Sequence, residues 1–481
     1  MNLVVRPSLS PPLDPDFVPA SLWNRAYRAA VRASGAGRKL ALAVRRSNGC
    51  VSVVHQEVFP HEGAFAALNE RFCERLLKFL LWQRGGHEVT VAGDPAVARY
   101  LEGVYSPDGA RAFDHAFMGD RVYGEPMSFR SVPYDRAPEP IEAGSALGRH
   151  LGGCRIGFDL GGSDRKCSAI IDGDVIHTEE IEWDPYFQDN PDYHFSGIQD
   201  ILRRAAEKLP RVDAIGGSAA GVYVNNEVRV ASLFRGVGPD LFEQRVRRMF
   251  FDLQKLWNDV PFVVVNDGEV TALAASMSLG ANSVLGISMG TSQAGGYVTP
   301  DGKITDWLNE LAFAPIDYRE NAPVDEWSGD GGVGAQYFSQ QAVARLLPLA
   351  GIAIPPGMPP ARQLDHAQDL LAAGDERARR VFETIGVYLG YAVAHYADFY
   401  PLRHVLVLGR VTSGAAGDLL IGAARDVLAA DFPDLADTVD LGIPDERHKR
   451  HGQAVAAASL PALAVGPGQG RVDTKPVWLS S

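Results

Sequence analysis

Hydrophobic positions recur along this chain with two different periods, and glycine or proline marks most of the switches between them. Two alternating runs, RKLALAVRR from Arg38 and CVSVVHQEVF from Cys50, flank Ser47-Asn48-Gly49, and Asn-Gly between such runs predicts a β-hairpin. AFAALNERFCERLLKFLLWQ, from Ala64, has helical spacing and stops at Gly85-Gly86. HEVTVAGD then reads as a strand and PAVARYLEGVY as a helix with Pro95 in its first turn. Residues 106–148 are irregular, carry several prolines and read as a long connection.

A second organisation starts near Cys154. RIGFDLGGSDRKCSAIIDGDVI reads as two strands about a glycine-rich turn, followed by a helix at FSGIQDILRRAAEKL and a strand and turn at VDAIGGSAAGVYV. A helix around LFEQRVRRMFFDLQKLW, a strand at PFVVVND and a helix at GEVTALAASMSL come next. SVLGISMGTSQAGGYVTPDGKI repeats the two-strand, glycine-turn design. Helices at AQYFSQQAVARLL and DERARRVFETIGVYLGYAVAHYADFY, a strand at HVLVLG and a helix from about Ala415 complete the pattern. The alternation predicts an α/β protein, and the two similar hairpins point to two related lobes rather than one doubly wound sheet.

Composition narrows the function classes. The 481 residues are enough for two to four domains at roughly 100–200 residues each. A formal net charge of −13, from 59 acidic and 46 basic residues, argues against nucleic acid and membrane surfaces as partners, since phosphate-rich partners need a basic footprint. Four cysteines, Cys50, Cys73, Cys154 and Cys167, form no CxxC pair, so neither a disulfide framework nor a zinc ribbon is expected. MNLVVRPSLSPPLDPDFVPA carries prolines and acids where a signal peptide needs a continuous apolar stretch, and no run of about 18 apolar residues occurs. A cytoplasmic protein is the expectation. The chain's 50 glycines are not periodic, and their positions carry the chemistry.

Four motifs stand out. In Asp159-Leu160-Gly161-Gly162-Ser163-Asp164-Arg165-Lys166 a strand ends at an acid and a turn without side chains follows, which suits close approach of a phosphate and a carboxylate beside Mg²⁺. A plain hairpin turn with surface charges fits the same residues. Gly290-Thr291-Ser292-Gln293-Ala294-Gly295-Gly296 repeats the design, and two such turns suit a polyphosphate held across a cleft. Val265-Asn266-Asp267 ends an apolar strand and opens a helix; Asp267 there suits a general base, although on this motif alone an N-cap is the preferred reading. Val407-Leu408-Gly409-Arg410-Val411-Thr412-Ser413-Gly414 is a strand and small-residue loop against which a nucleotide base can lie. The aromatic segment WDPYFQDNPDYHF, residues 183–195, reads as a surface cover packed by its own side chains, with a border to the substrate as the alternative. His177 and His194 lack ligand-like spacing, so no metal is assigned to them.

In this order the motifs resemble the actin-like ATPase superfamily of sugar kinases and heat-shock ATPases, and within it the ROK family. DLGGSDRKCSAIIDGDVI is similar to the family's DxGGT phosphate motif, with Ser163 for Thr, and AIGGSAAGVYV resembles its PGxVD segment, with Gly221 kept and Ala220 for Pro. VVVNDGEVTALAA is similar to the strand-to-helix turn that carries the family's catalytic base, at Asp267. LGISMGTSQAGGYVTPDGKI resembles the second phosphate motif, with Ser292 and Ala294 replacing glycines, and VLVLGRVTSGAAGDLL the adenosine motif. Glu310 falls on the glutamate of the GExGH sugar segment, Glu326 lies near a later acidic sugar contact, and HGQAVAAA resembles the C-terminal small-residue helix. The resemblance covers about residues 151–470. Phe313 stands where the family has His and the CxCGxxGCxE cluster is absent, so no structural zinc is expected and the loop 314–335 must be held some other way.

The resemblance implies a two-lobed actin-like ATPase (ribonuclease H-like) fold with an N-terminal α/β extension. Expected divisions are 1–150 as the accessory segment, 151–285 and 286–470 as the lobes and 471–481 as a tail. It implies an ATP-dependent kinase of a hexose or related polyol and a homodimer. Gly161, Gly162, Ser163, Lys166, Gly290, Thr291 and Ser292 would surround the phosphates, Gly409 the adenosine, and Asp159 would hold Mg²⁺ through water. Asp267 would be the base, and Asn266, Glu310, Gly221 and Glu326 would contact the sugar. The departures keep two alternatives open: a non-catalytic sugar sensor, and an actin-like ATPase with a non-sugar substrate. A DNA-binding repressor is disfavoured, because the N-terminal segment shows no recognition helix and no basic excess.

Overall fold

Asn48-Gly49 closes the first hairpin, with Gly49 at φ 84° and Arg46 N–H donating to Cys50 O at 2.9 Å. The structure, a computed structural model, describes residues 3, 5–142, 147–444 and 449–463; the tail from Gly466 lies outside them. The hairpin strands β1 (Arg38–Arg45) and β2 (Val51–Val58) pair antiparallel from Arg38↔Val58 to Arg45↔Val51. β3 (Glu88–Ala92) adds antiparallel to β1, and Asp94 caps the following helix Pro95–Val104 by accepting from Ala96 N–H at 2.9 Å.

The stretch expected as an irregular connection contains a fourth strand. β4 (Ser128–Val132) runs parallel to β3, giving the order β2-β1-β3-β4. Its sequence SFRSV has no buried position, so it carries none of the apolar alternation by which a half-buried strand is recognised. The same stretch holds the helix Ala112–Ala116 and a wider helical turn at Phe117–Tyr123.

From Cys154 the chain builds a five-stranded sheet of order β11-β8-β5-β6-β7. Its members are β5 (Cys154–Leu160), β6 (Asp164–Ile171), β7 (Asp174–Glu182), β8 (Ala214–Ala219) and β11 (Phe262–Asn266). β9 (Val222–Val224) and β10 (Glu227–Val230) form a separate two-stranded ribbon. β5, β8 and β11 are parallel, whereas β5-β6-β7 is an antiparallel meander. The parallel strands are apolar runs because helices cover them.

One of those helices, Lys449–Ala458, lies against the sheet at glycines. A Cβ on Gly216 would stand 1.7 Å from Ala457 O, and one on Gly157 1.8 Å from Ala454 O. Gly216→Ala is therefore expected to push the helix off the sheet and cost about 2–3 kcal/mol or more. An unchanged urea midpoint for that variant would refute this packing.

β12 (Val284–Met289) and β13 (Gln293–Val298) form the second glycine-turn hairpin, in a sheet of order β13-β12-β14-β15 with β14 (His404–Leu408) and β15 (Asp440–Gly442). Contacts divide the chain into two units. One comprises Met1–Ala143, Ile287–Gly295 and Trp307–Ile443; the other comprises Gly144–Gly286, Gly296–Asp306 and Pro444–Ser481. Among the described residues, no helix is long and apolar enough to cross a membrane.

Candidate active site

In the unit containing Gly144–Gly286, parallel pairing brings the acidic residues to one end of the sheet. Asp159 on β5 is level with Ser218 on β8, and Ser218 with Val265 on β11, so Asp267 follows one residue beyond the neighbouring strand end. The helix Asp267–Leu279 starts there, and its N-cap is Asn266. Asn266 Oδ1 accepts from Gly268 N–H at 2.7 Å, while its Nδ2 donates to Gly221 O at 2.7 Å. Tyr223 adds a second tie, donating from its hydroxyl to Ala220 O at 3.2 Å. Asn266 thus fixes the Ala220-Gly221 turn and caps the helix in place of Asp267, the residue the motif alone favours for that role. Asp267 Oδ1 accepts from Gly268 N–H at 3.0 Å.

The electrostatics of the two carboxylates differ from those of surface acids. Burial, with the nearby Asp159 carboxylate adding to it, pushes Asp267 up to about 6. Burial also raises Asp159, against the pull of the Ser218 hydroxyl and the Lys166 ammonium. Lys166 sits directly across from Asp159 in the β5–β6 register and bonds Asp164 Oδ1 at 2.7 Å. Arg165 turns elsewhere, to Asp200 at 2.9 Å.

The Gly161–Ser163 turn is closed by Gly161 N–H on Asp164 O at 2.9 Å. Trp183 clamps it from outside, donating from Nε1 to Gly161 O at 2.8 Å and from its backbone N–H to Ser163 O at 3.0 Å. A Cβ on Gly162 would stand 2.0 Å from the Tyr186 hydroxyl. A side chain at Gly162 would therefore displace the Tyr186 ring from the turn. The aromatic segment 183–195 is packed by its own side chains, as expected, with Trp183–Tyr193 and Tyr193–His194 ring centroids 6.3 and 5.8 Å apart, and it also borders this turn.

The other unit holds the remaining candidates. Gly290 N–H donates to Ser292 O at 3.0 Å, and Thr291 and Ser292 are exposed at the tip of the turn. Gly409, at φ 103°, lies against the strand leading to that turn, where a Cβ would be 2.5 Å from Met289 O. Asn309 and Glu310 N–H groups donate to Gln83 O and Trp82 O, each at 2.9 Å, at the C-terminal end of helix Ala64–Arg84. Glu326 is exposed.

The N-terminal segment holds the loop 314–335. Lys78, fully buried, bonds Asp114 at 2.8 and 2.9 Å and also Asp330. Arg111 bonds Glu74 at 2.6 Å and Asp330, and Trp82 Nε1 donates to Asp114 at 2.6 Å. Asp330, despite its burial, is held low by Lys78 and Arg111, whereas burial raises Asp114. Phe313 packs on Trp82 at 4.5 Å and Trp327 at 5.1 Å between ring centroids.

Sequence reasoning missed Ser218, and singled out Trp183 and Tyr186 only as members of the aromatic segment 183–195. Ser218 has a signal, a hydroxyl within an otherwise small and apolar strand, AIGGSA. No protein-family model matches the sequence, and no curated relative matches it. Solved structures do resemble the chain. The ROK hexokinase from Thermus thermophilus superposes with a TM-score of 0.51 at 18% identity, over 63% of this chain and 96% of that one. A ROK family glucokinase from Streptomyces griseus, in complex with glucose and AMPPNP, gives 0.47 at 20% identity over 64% and 98%. A ROK family transcriptional regulator, a homolog of the E. coli MLC protein, gives 0.48 at 18% identity over 64% and 79%. The likeness to the Thermus hexokinase shows that this chain shares the fold of that ROK hexokinase over the matched residues.

Proposed function

We propose that this chain, built on the ROK hexokinase fold, is an ATP-dependent kinase that phosphorylates a hydroxyl of a hexose or related polyol. The observation that carries the reading is Asp267. It is half-buried at a strand end, relieved of capping by Asn266, and raised to about 6 beside a second carboxylate. A carboxylate so tuned accepts a proton near neutral pH while its geometry stays fixed. As a sugar hydroxyl oxygen attacks the γ-phosphorus, Asp267 takes its proton and ADP leaves. Asn266 and Gly221, tied to one another, border that hydroxyl; Glu310 and Glu326 are assigned to the sugar on the resemblance alone. Gly161, Gly162 and Ser163 offer the backbone to the phosphates, with Lys166 compensating charge. Gly290, Thr291, Ser292 and Gly409 are assigned to the nucleotide.

Magnesium fits the donor set, because Asp159 offers hard oxygen atoms and both carboxyls are raised by confinement that a cation would relieve. Bound there, it would neutralise charge on the phosphate oxygens. The assay is coupled ADP release across hexoses, amino sugars and cyclitols with Mg²⁺. Sugar-dependent release supports a kinase. Thermal stabilisation by a sugar with no release supports the sensor reading, which Phe313 favours because its ring packs on Trp82 where the family has an imidazole. ADP release indifferent to every sugar supports another acceptor.

A further inference from the structure

We infer that Arg235 is an anion-binding residue of the Gly161–Ser163 turn, its guanidinium engaging the terminal phosphate of the nucleotide. The identity of the anion rests on the kinase reading; the site itself rests on geometry. Arg235 is exposed and follows the short helix Ser232–Phe234. Its guanidinium carbon lies 4.1 Å from the Tyr186 ring centroid and 4.9 Å from that of Phe187. The far end of the Tyr186 ring is the hydroxyl that rests against Gly162. Arg235 therefore stands one aromatic ring away from the turn, in the same unit as Asp159 and Asp267.

Three features together support this role. Arg165, Arg211, Arg229 and Arg245 of this unit each pair with a carboxylate, whereas Arg235, like Arg248 on the Phe251 ring, has no ion-pair partner among the described residues; of these two, Arg235 is the one beside the Gly161–Ser163 turn. Stacking on a ring holds the flat guanidinium and leaves its N–H edge available to an oxyanion, which is how arginine binds phosphate in two-pronged fashion. The position is also built from both sides. A Cβ on Gly236 would stand 2.6 Å from Gln188 O, so the backbone after Arg235 is seated directly on the loop carrying Tyr186 and Phe187. Phe187 itself is 76% exposed, an apolar cost that its stacking with Arg235 accounts for.

The test is calorimetric titration of the full chain with tripolyphosphate, a probe that needs neither sugar nor turnover. Arg235→Met keeps length and aromatic contact but removes the charge. It is expected to weaken tripolyphosphate binding about 10- to 100-fold, with Arg235→Lys in between, and to flatten the salt dependence of affinity. An Arg235→Met affinity within twofold of the parent, or no tripolyphosphate binding by the parent, overturns the inference. If Arg235→Met loses affinity while the parent phosphorylates no sugar, the anion site stands and the kinase reading falls. If the parent phosphorylates sugar and Arg235→Met binds normally, the reverse holds.

Discussion

Asp267→Asn is expected to abolish sugar-dependent ADP release and, above pH 6, to raise the melting temperature. The first effect follows from the base. Removing a positioned proton acceptor typically costs 10²- to 10⁴-fold in rate. The second follows from linkage. The native carboxyl, at about 6, holds a proton more tightly than the ordinary value of 3.8 in the unfolded chain. Protonated in both states below pH 4, it costs the fold nothing there; the penalty grows as pH rises from 4 through 6 and is then fixed at up to about 3 kcal/mol. An uncharged amide removes that penalty, so parent and variant should melt alike near pH 4 and diverge at pH 7–8. The parent's kcat/KM should rise with pH through about 6 and then level off, because only the ionised form accepts a proton. A variant that loses activity but gains no stability at pH 8 would mean that the carboxylate is better solvated than its neighbours imply.

Lys78→Met should be the most destabilising substitution in the N-terminal segment. It strips the ammonium from Asp114 and Asp330 while both stay buried, and breaking one partner of a buried pair costs about 3–5 kcal/mol. Adding Asp114→Asn should recover a large part of the loss in urea unfolding, since one stranded charge is gone and Arg111 still serves Asp330. If the double variant is no more stable than the single one, the ammonium is not what neutralises Asp114. Helix Ala64–Arg84 carries Lys78 and also accepts the N–H groups of Asn309 and Glu310. Any folded fraction of the single variant should therefore show a raised KM for sugar before a lowered kcat.

Local chemistry was readable and long-range chemistry was not. The Asn48-Gly49 hairpin, the helix ending at Gly85 and both glycine-turn hairpins follow from periods and turn residues that act within ten residues or so. β4 escaped notice because none of its positions is buried. The hold on the loop 314–335 escaped because its parts, Lys78, Arg111 and Asp330, are up to 252 residues apart in sequence. A lysine in a helical pattern reads as a solvated face; only the fold shows it buried against two carboxylates. The Gly162 motif shows only the room a ligand would need; the Tyr186 hydroxyl that also uses that room lies 24 positions later in an aromatic loop. The motif by itself favours Asp267 as the cap, and only the Asn266 side chain, which makes that cap, frees Asp267 from it.

The most direct measurement is the fate of the γ-phosphate. Incubated with γ-labelled ATP, Mg²⁺ and the sugar that stimulates ADP release, the chain is predicted to place the label on a sugar hydroxyl, seen as a sugar phosphate by mass spectrometry and ³¹P NMR, and Asp267→Asn to yield none. Label recovered only as inorganic phosphate, or equal sugar phosphate from Asp267→Asn, would contradict the assignment of Asp267 as the base of a sugar kinase.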